Sequence, residues 1–321
     1  MDLEGQTLHY YLKVFSIILI TFAIIFTFYI FNLFSKNIIL NKDHININKG
    51  DNINDVLNKN IINISKLEII LIKIYFKINN ILDKKYLHYG DFKIPSESSL
   101  IDLINIISKP SNMFIKITIV EGWSKNKLDL ELSKYFSDFH SIPYQSIVAD
   151  TYYIQKNSNF DAFLRKLNVT KINYFNKNKN NKLLEKFTID ELFVIGSLLE
   201  KEGLDEEDKK QISSVIINRL EKKMKLQIDA TVIFAITNGK YNLDRKLLRN
   251  DLKIDHPFNT YIYYGLPPEP ISYVGKKTLD LLLENNKNDF LFYFFNYSLN
   301  KHIFSKNFKE HKEKLNEYRK K

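Results

Sequence analysis

Glu200 and Glu202 close the segment GSLLEKEG, residues 196–203, in a run dominated by apolar and small side chains. Thr188 and Glu191 stand in capping-box spacing just upstream, so a helix is expected to begin at Thr188 and end near Gly203, a natural residue just past a helix. Within it Leu192, Ile195, Leu199 and Glu202 follow one another at i, i+3, i+7 and i+10, so Glu202 stands where a core residue is expected. Glu200 shares a different face with Phe193, Gly196 and Ser197. Burial disfavours an ionised carboxylate and raises its pKa, which makes a glutamate a general acid near neutral pH. The same spacing also fits a solvated acid at a frayed helix end, and the two readings stay open at this point.

More polar groups follow. A second helix is read over KKQISSVIINRLEKKM, residues 209–224, with Ile212, Val215, Ile216 and Leu220 as its apolar side and Asn218 and Arg219 near its end. LQIDATVIF places Gln227, Asp229 and Thr231 at the start of an apolar segment. HPFNTYIYYGLPPEPI, residues 256–271, is rich in Pro, Asn, Gly and Tyr and reads as a structured loop. Its Asn and Tyr side chains could stack on and hydrogen-bond a sugar, or could pack only for rigidity. His302, Glu310 and His311 follow in HIFSKNFKEH without i, i+4 histidine spacing, and there is no HExxH, so no metal site is expected. Phosphate-loop, dinucleotide and G-x-S-x-G patterns are absent, and the lack of cysteine excludes disulfides, thiolate nucleophiles and Cys-ligated metals.

The elements that must position these groups are legible in outline. The 321 residues exceed one typical domain, and 45% hydrophobic with 26% charged residues is ordinary for a globular protein. The net charge of +10 suits an anionic partner such as nucleic acid, lipid headgroups or an acidic wall polymer, although a Lys-, Asn- and Ile-rich composition gives the same sum. KGDNINDVL, PSESSLIDLINII and EGWSKNKLDLEL each start with turn or small polar residues and continue with helical apolar spacing, which reads as a repeated strand, turn and short capped helix. FIKITIV, residues 114–120, and FLFYFF, residues 290–295, read as strands, and NKNKNNK, residues 176–182, as a solvated loop. Residues 14–34 carry no charge over the length a membrane-crossing helix needs and end in a poor cleavage site, so a retained single span is expected. Lys36, Lys42 and Lys49 after the span would place the large domain inside by the positive-inside rule, but long domains translocate largely regardless of charge.

In order and spacing, the blocks VEGWSKNKL, ADTYYI, IGSLLEKEG, VIINRLEKKMKLQIDATVIF, HPFNTYIYYGLPPEPIS and HIFSKNFKEH resemble the endolytic murein transglycosylases of the YceG-like (MltG) family, over almost the whole chain after the anchor. The resemblance implies an α+β fold. It would comprise a tail at 1–13, a transmembrane helix at 14–34, a small LysM-like α/β module at 36–120 and a mixed α+β catalytic domain at 121–321. It implies no cofactor or metal. The implied location is the bacterial cytoplasmic (inner) membrane, with the catalytic domain outside. The implied partners are peptidoglycan glycan strands, that membrane and the peptidoglycan synthases (penicillin-binding proteins), with no nucleic acid. Glu202 matches the family's catalytic acid and Glu200 the acid before it. Asn218, Arg219, Gln227, Asp229, Asn259, Tyr261, Asp150 and Tyr152 match its further motif positions, as substrate-binding or supporting groups. Gly203, Ile228, Ala230, Ala149, Glu269 and Lys312 depart from the family's usual residues. The implied reaction is a lyase-type transfer. Glu202 protonates the glycosidic oxygen between N-acetylmuramic acid and N-acetylglucosamine, the muramic C6 hydroxyl attacks C1, and a 1,6-anhydro end forms. A hydrolysing muramidase and a non-catalytic peptidoglycan-binding scaffold are the competing expectations.

Overall fold

The computed structural model describes residues 3–83 and 86–320, and by internal contacts these divide into two units. The fold is mixed α+β, in line with the expected class. The first unit comprises residues up to 115 together with 153–157, and the second comprises 116–152 and 158–321.

The first unit opens with α1 (Leu3–Ser35), whose stretch His9–Ser35 is long and apolar enough to cross a membrane. Strand β1 (His44–Ile47) pairs antiparallel with β2 (Gly90–Lys93), Ile45 opposite Phe92. Between these strands run α2 (Ile53–Asn60) and α3 (Lys66–Asp83), and after them comes α4 (Leu100–Ile107). Two of the helix starts foreseen as polar caps are capping boxes: Asn52 with Asp55 opens α2, and Ser99 with Asp102 opens α4. Ile45, Ile47, Val56, Leu57, Ile72, Phe92, Leu103 and Ile104 form a continuous core. Leu33 and Phe34, the last apolar residues of α1, are buried in that same core.

Strand β3 (Phe114–Thr118) ends two residues earlier than the sequence suggested and pairs with β5 (Thr151–Gln155). The boundary between the units falls within both strands. In the second unit, α5 (Lys125–Leu132), β4 (Val148–Ala149), α6 (Phe160–Lys177) and the single turn α7 (Leu183–Lys186) lead to the central helix α8 (Ile189–Glu202). The first two residues of the Asn- and Lys-rich stretch belong to α6, and the rest forms turns. Helix α9 (Glu206–Glu221) packs on α8 and begins before the expected Lys209, because the Asp205 side chain accepts the Asp208 N–H and three acids fill its first turn. Then come α10 (Asp229–Thr237), β6 (Val274–Gly275), α11 (Lys276–Leu283), the hairpin β7 (Phe292–Asn296) and β8 (Lys301–Ser305), and α12 (Phe308–Lys320).

Every residue from Leu192 to Leu199 is buried, because α8 is covered on all sides by α9, α10, α11 and β6. Each fully buried Leu, Ile or Phe contributes roughly 1.5–3 kcal/mol relative to exposure. A Cβ on Gly196 would lie 2.6 Å from a methyl of Val274, so only glycine lets β6 approach α8 this closely. β6 runs parallel to β4, with Val148 opposite Val274.

Candidate active site

The Thr188 hydroxyl accepts the Glu191 N–H at 3.2 Å, and the Glu191 carboxylate accepts the Thr188 N–H at 2.8 Å, so the expected capping box starts α8. Gly203 caps the other end in an extended conformation, φ −79°, and not in the left-handed one that glycine caps commonly use. A Cβ there would meet Cγ of Lys209 at 2.3 Å, so the reason for glycine is space rather than backbone freedom.

The last turn of α8 sends its two acids to different surroundings. Glu200, with a side chain 2% exposed, lies 2.5 Å from Lys209 Nζ and accepts the Gly275 N–H at 2.9 Å. Lys209 also donates to the Thr278 hydroxyl at 2.9 Å. Glu200 is thereby a clamp tying α8 to α9 and to the β6–α11 junction.

Glu202 is half-buried and stands among polar groups from three distant segments. The Tyr293 hydroxyl, from β7, lies 3.3 Å from Glu202 Oε2 and donates to it. Burial pushes the Glu202 carboxyl above its ordinary range and the Asp229 carboxylate pushes the same way. The Ala230 backbone, His302 and the Tyr293 hydroxyl pull against them, and the raising influences win. Asp229, the first residue of α10, accepts the Tyr261 hydroxyl at 2.6 Å. Burial, and then Asp229, hold the Tyr261 hydroxyl protonated well past the ordinary tyrosine range. Burial does the same to Tyr293, with the Glu202 charge adding to it. Both tyrosines are therefore fixed donors at any working pH.

A second layer holds these groups. His302 Nδ1 lies 2.8 Å from Asp208 Oδ2, with both side chains at most 10% exposed, and the His302 ring meets Tyr293 edge-on at 5.3 Å. Arg219 is buried and donates to the carbonyls of Leu291, Lys225 and Leu226, at 2.6, 3.0 and 2.9 Å. Asn218 Nδ2 donates to the carbonyls of Asn288 and Phe290 at 2.8 and 2.9 Å. These two neighbours on α9 thus fix the start of β7, which carries Tyr293. The side chain of Gln227 accepts from Arg219 at 3.4 Å, and its backbone is left-handed, φ +53°, at the corner that leads into α10.

The remaining expected residues lie elsewhere. Asn259 is fully buried and its amide donates to the Leu252 and Ile254 carbonyls at 3.1 and 2.8 Å, so it braces the 256–271 loop and has no face for a sugar. Tyr152 is buried with its hydroxyl on the Val148 carbonyl at 2.5 Å. Asp150 is exposed and lines a cleft of about 570 Å³ together with Lys209 and Lys276, on the side of Glu200. A different cleft, of about 650 Å³, is lined by Trp123, Lys127, Lys201, Ala230, Phe234 and Tyr241. Ala230 connects it to Glu202. Lys127 Nζ stands 5.4 Å from the Trp123 ring centre, and Lys201 donates to the Gly122 carbonyl at 2.8 Å.

Sequence reasoning missed Tyr293, which it placed only within an apolar strand, and it considered His302 only for a metal. The single Trp123 in a sequence with Asn126 and Lys127 beside it was the available signal for the cleft.

Fold and site together define a mixed α+β protein with one acid raised above the ordinary carboxylate range and linked through the Ala230 backbone to an aromatic, lysine-bearing cleft. The model of the YceG-like family matches residues 45–317, and the chain belongs to that family. It is 38% identical over 157 residues, 49% of its length, to the endolytic murein transglycosylase of Bacillus subtilis (strain 168). It is 31% identical over 134 residues to that of Streptococcus pneumoniae serotype 2. The matched regions span 41% and 24% of those proteins, less than half of either. The crystal structure of a yceG-like protein from Listeria monocytogenes shares the fold, with a TM-score of 0.52 at 24% identity over 86% of this chain and 99% of that one.

Proposed function

We propose that this protein is a peptidoglycan lytic transglycosylase anchored to the cytoplasmic membrane by α1, with Glu202 as its acid and base. The observation that carries the reading is the half-buried Glu202 carboxyl, raised by burial and by Asp229, with Ala230 shared between it and a cleft of about 650 Å³ that bears aromatic rings. The names of the Bacillus and Streptococcus relatives support it.

Glu202 gives its proton to the glycosidic oxygen between N-acetylmuramic acid and N-acetylglucosamine as the C1–O bond breaks. Positive charge develops on the sugar ring. The muramic C6 hydroxyl adds to C1, and its proton passes to the Glu202 carboxylate, which restores the acid. No water is consumed. The Tyr293 hydroxyl and the Ala230 N–H stabilise the carboxylate between the two transfers. The glycan lies in the 650 Å³ cleft, with Trp123 and Tyr241 as stacking surfaces and Lys127 and Lys201 facing the acidic substituents of the strand. The antiparallel β1–β2 pair with its helices supports reading residues 36–120 as a LysM-like glycan-positioning module. Nascent strands as substrate, the synthases as neighbours and an extracytoplasmic catalytic domain complete the proposal.

Asp229 also favours a second reading. A second carboxylate close to Glu202 could activate water, which would make the enzyme a hydrolysing muramidase. The product decides. Full-length protein in detergent is incubated with uncrosslinked glycan strands and the released ends are weighed by mass spectrometry. Anhydro ends are expected, in the wild type only and not in Glu202→Gln. Reducing ends would replace the transglycosylase by the hydrolase, and intact strands with bound protein would leave a scaffold.

A further inference from the structure

Helix α3 of the first unit carries two apolar faces. Ile69, Ile72 and Phe76 enter the core. On the opposite side Leu67, Ile70, Ile74, Ile78, Ile81 and Leu82 are 49–73% exposed. A single exposed leucine or isoleucine is ordinary, but these six recur at i, i+3, i+7, i+11, i+14 and i+15. At 1.5 Å per residue they form an unbroken stripe about 22 Å long. Lys66, Lys73 and Lys77 are exposed along one flank of that stripe. The acid nearest the start of the helix, Glu68, faces away from the stripe and is paired with Lys36 at 3.1 Å.

The end of α1 is fastened to this same helix. The Phe34 ring packs on Tyr75 of α3 with centroids 4.4 Å apart, and Lys36 reaches both Glu68 and the Asn63 carbonyl, the latter at 2.6 Å. The apolar length of α1 before that junction is unburied by protein. Wherever α1 leaves hydrocarbon, α3 is therefore within one side chain of the surface. An apolar stripe with a lysine flank is the composition of a helix lying in a membrane interface, with isoleucines in the acyl boundary and ammonium groups at the phosphates.

We propose that the exposed face of α3 lies in the surface of an anionic bilayer, the one that α1 crosses, as a second, in-plane attachment of the first unit. The proposal rests on reading α1 as a membrane anchor. It fixes the tilt of the first unit against the lipid, where a single span alone would let the unit swivel.

The chain has no cysteine, so single cysteines report without background. Ile74→Cys and Ile78→Cys sit on the stripe, Asn58→Cys on the exposed side of α2, and Ile24→Cys in α1. Each full-length variant is labelled with an environment-sensitive fluorophore. It is then reconstituted into vesicles of phosphatidylglycerol and phosphatidylethanolamine, with circular dichroism as the folding control. Labels at 74 and 78 are expected to be quenched by brominated lipid and shielded severalfold from aqueous iodide, while the label at 58 stays open to iodide. The shielding weakens in phosphatidylcholine vesicles, or when Lys66, Lys73 and Lys77 are changed to Gln. A label quenched at 24 with aqueous labels at 74 and 78 overturns the proposal and leaves the anchor standing. An aqueous label at 24 overturns the anchor, and the proposal with it. Shielding at 74 and 78 without bromolipid quenching, but with self-quenching between labels, assigns the stripe to a second copy of the chain and overturns the lipid assignment.

Discussion

Tyr293 donates its hydroxyl to Glu202 across 3.3 Å and 91 positions of sequence. That bond favours the ionised acid, whereas Asp229, from the other side, favours the protonated one. The two neighbours therefore push the acid in opposite directions, and their removal has opposite consequences.

Tyr293→Phe removes a donor to the carboxylate and moves the alkaline limb of the pH–activity profile to higher pH. Asp229→Asn removes a like charge and moves that limb to lower pH. Each change costs about tenfold in turnover, the weight of one hydrogen bond to a charged group. Anhydro-end release measured from pH 4 to 9 (a range of about 5 pH units around the carboxylate range) checks both signs. Shifts in the same direction would refute the opposition.

Glu202→Gln lowers turnover by ~10²–10⁴-fold or more, the usual weight of general acid catalysis. It also raises stability at neutral pH. The native acid keeps its proton to higher pH than it does in the unfolded chain. Between the two pKa values the native state binds more protons, and stability falls as pH rises. The amide escapes that loss. Wild type and variant should therefore melt together below pH ~4, under the ordinary glutamate range, and separate above it with the variant higher. Glu200→Gln costs less turnover than Glu202→Gln.

Lys209→Met leaves the buried Glu200 carboxylate without its cation. Removing one member of a buried pair costs about 3–5 kcal/mol. For a domain of this size each kcal/mol moves the melting point by roughly 2–4 °C, so Tm falls by about 6–20 °C. The double change Glu200→Gln with Lys209→Met recovers most of the loss. Calorimetry on the three variants checks this, and activity per folded molecule separates the clamp from the chemistry.

Protease added to intact spheroplasts is expected to digest the chain beyond about residue 36. Protection of that part, with digestion only after lysis, would reverse the proposed topology.

What the sequence disclosed was local. The Thr188–Glu191 box involves neighbours within three positions and appears as read, whereas the Leu192, Ile195, Leu199 stripe does not stand apart, because α8 is buried on every face from Leu192 to Leu199. The surroundings of Glu202 were not disclosed, because Tyr293 and Asp229 reach it through loops whose lengths carry no periodic signal. Glu200 differed from Glu202 only by its helix face, and only the fold of α9 brings Lys209 to it. Helix α3 went unread because apolar residues on two opposite faces leave no single stripe to recognise. The Asn and Tyr of the proline-rich loop offered two roles, and full burial of Asn259 selects bracing for that residue.

Asn218 and Arg219 together hold five carbonyls between residues 225 and 291, three of them just before β7, and so dock the β7–β8 hairpin against α9. That docking gives the site a sequence of events in time. A chain that has emerged only as far as residue 285 already contains Glu202, Asp229 and Ala230, yet it lacks Tyr293 and His302, two of the groups that favour the ionised acid. The surroundings of Glu202 are therefore complete only once the hairpin has docked.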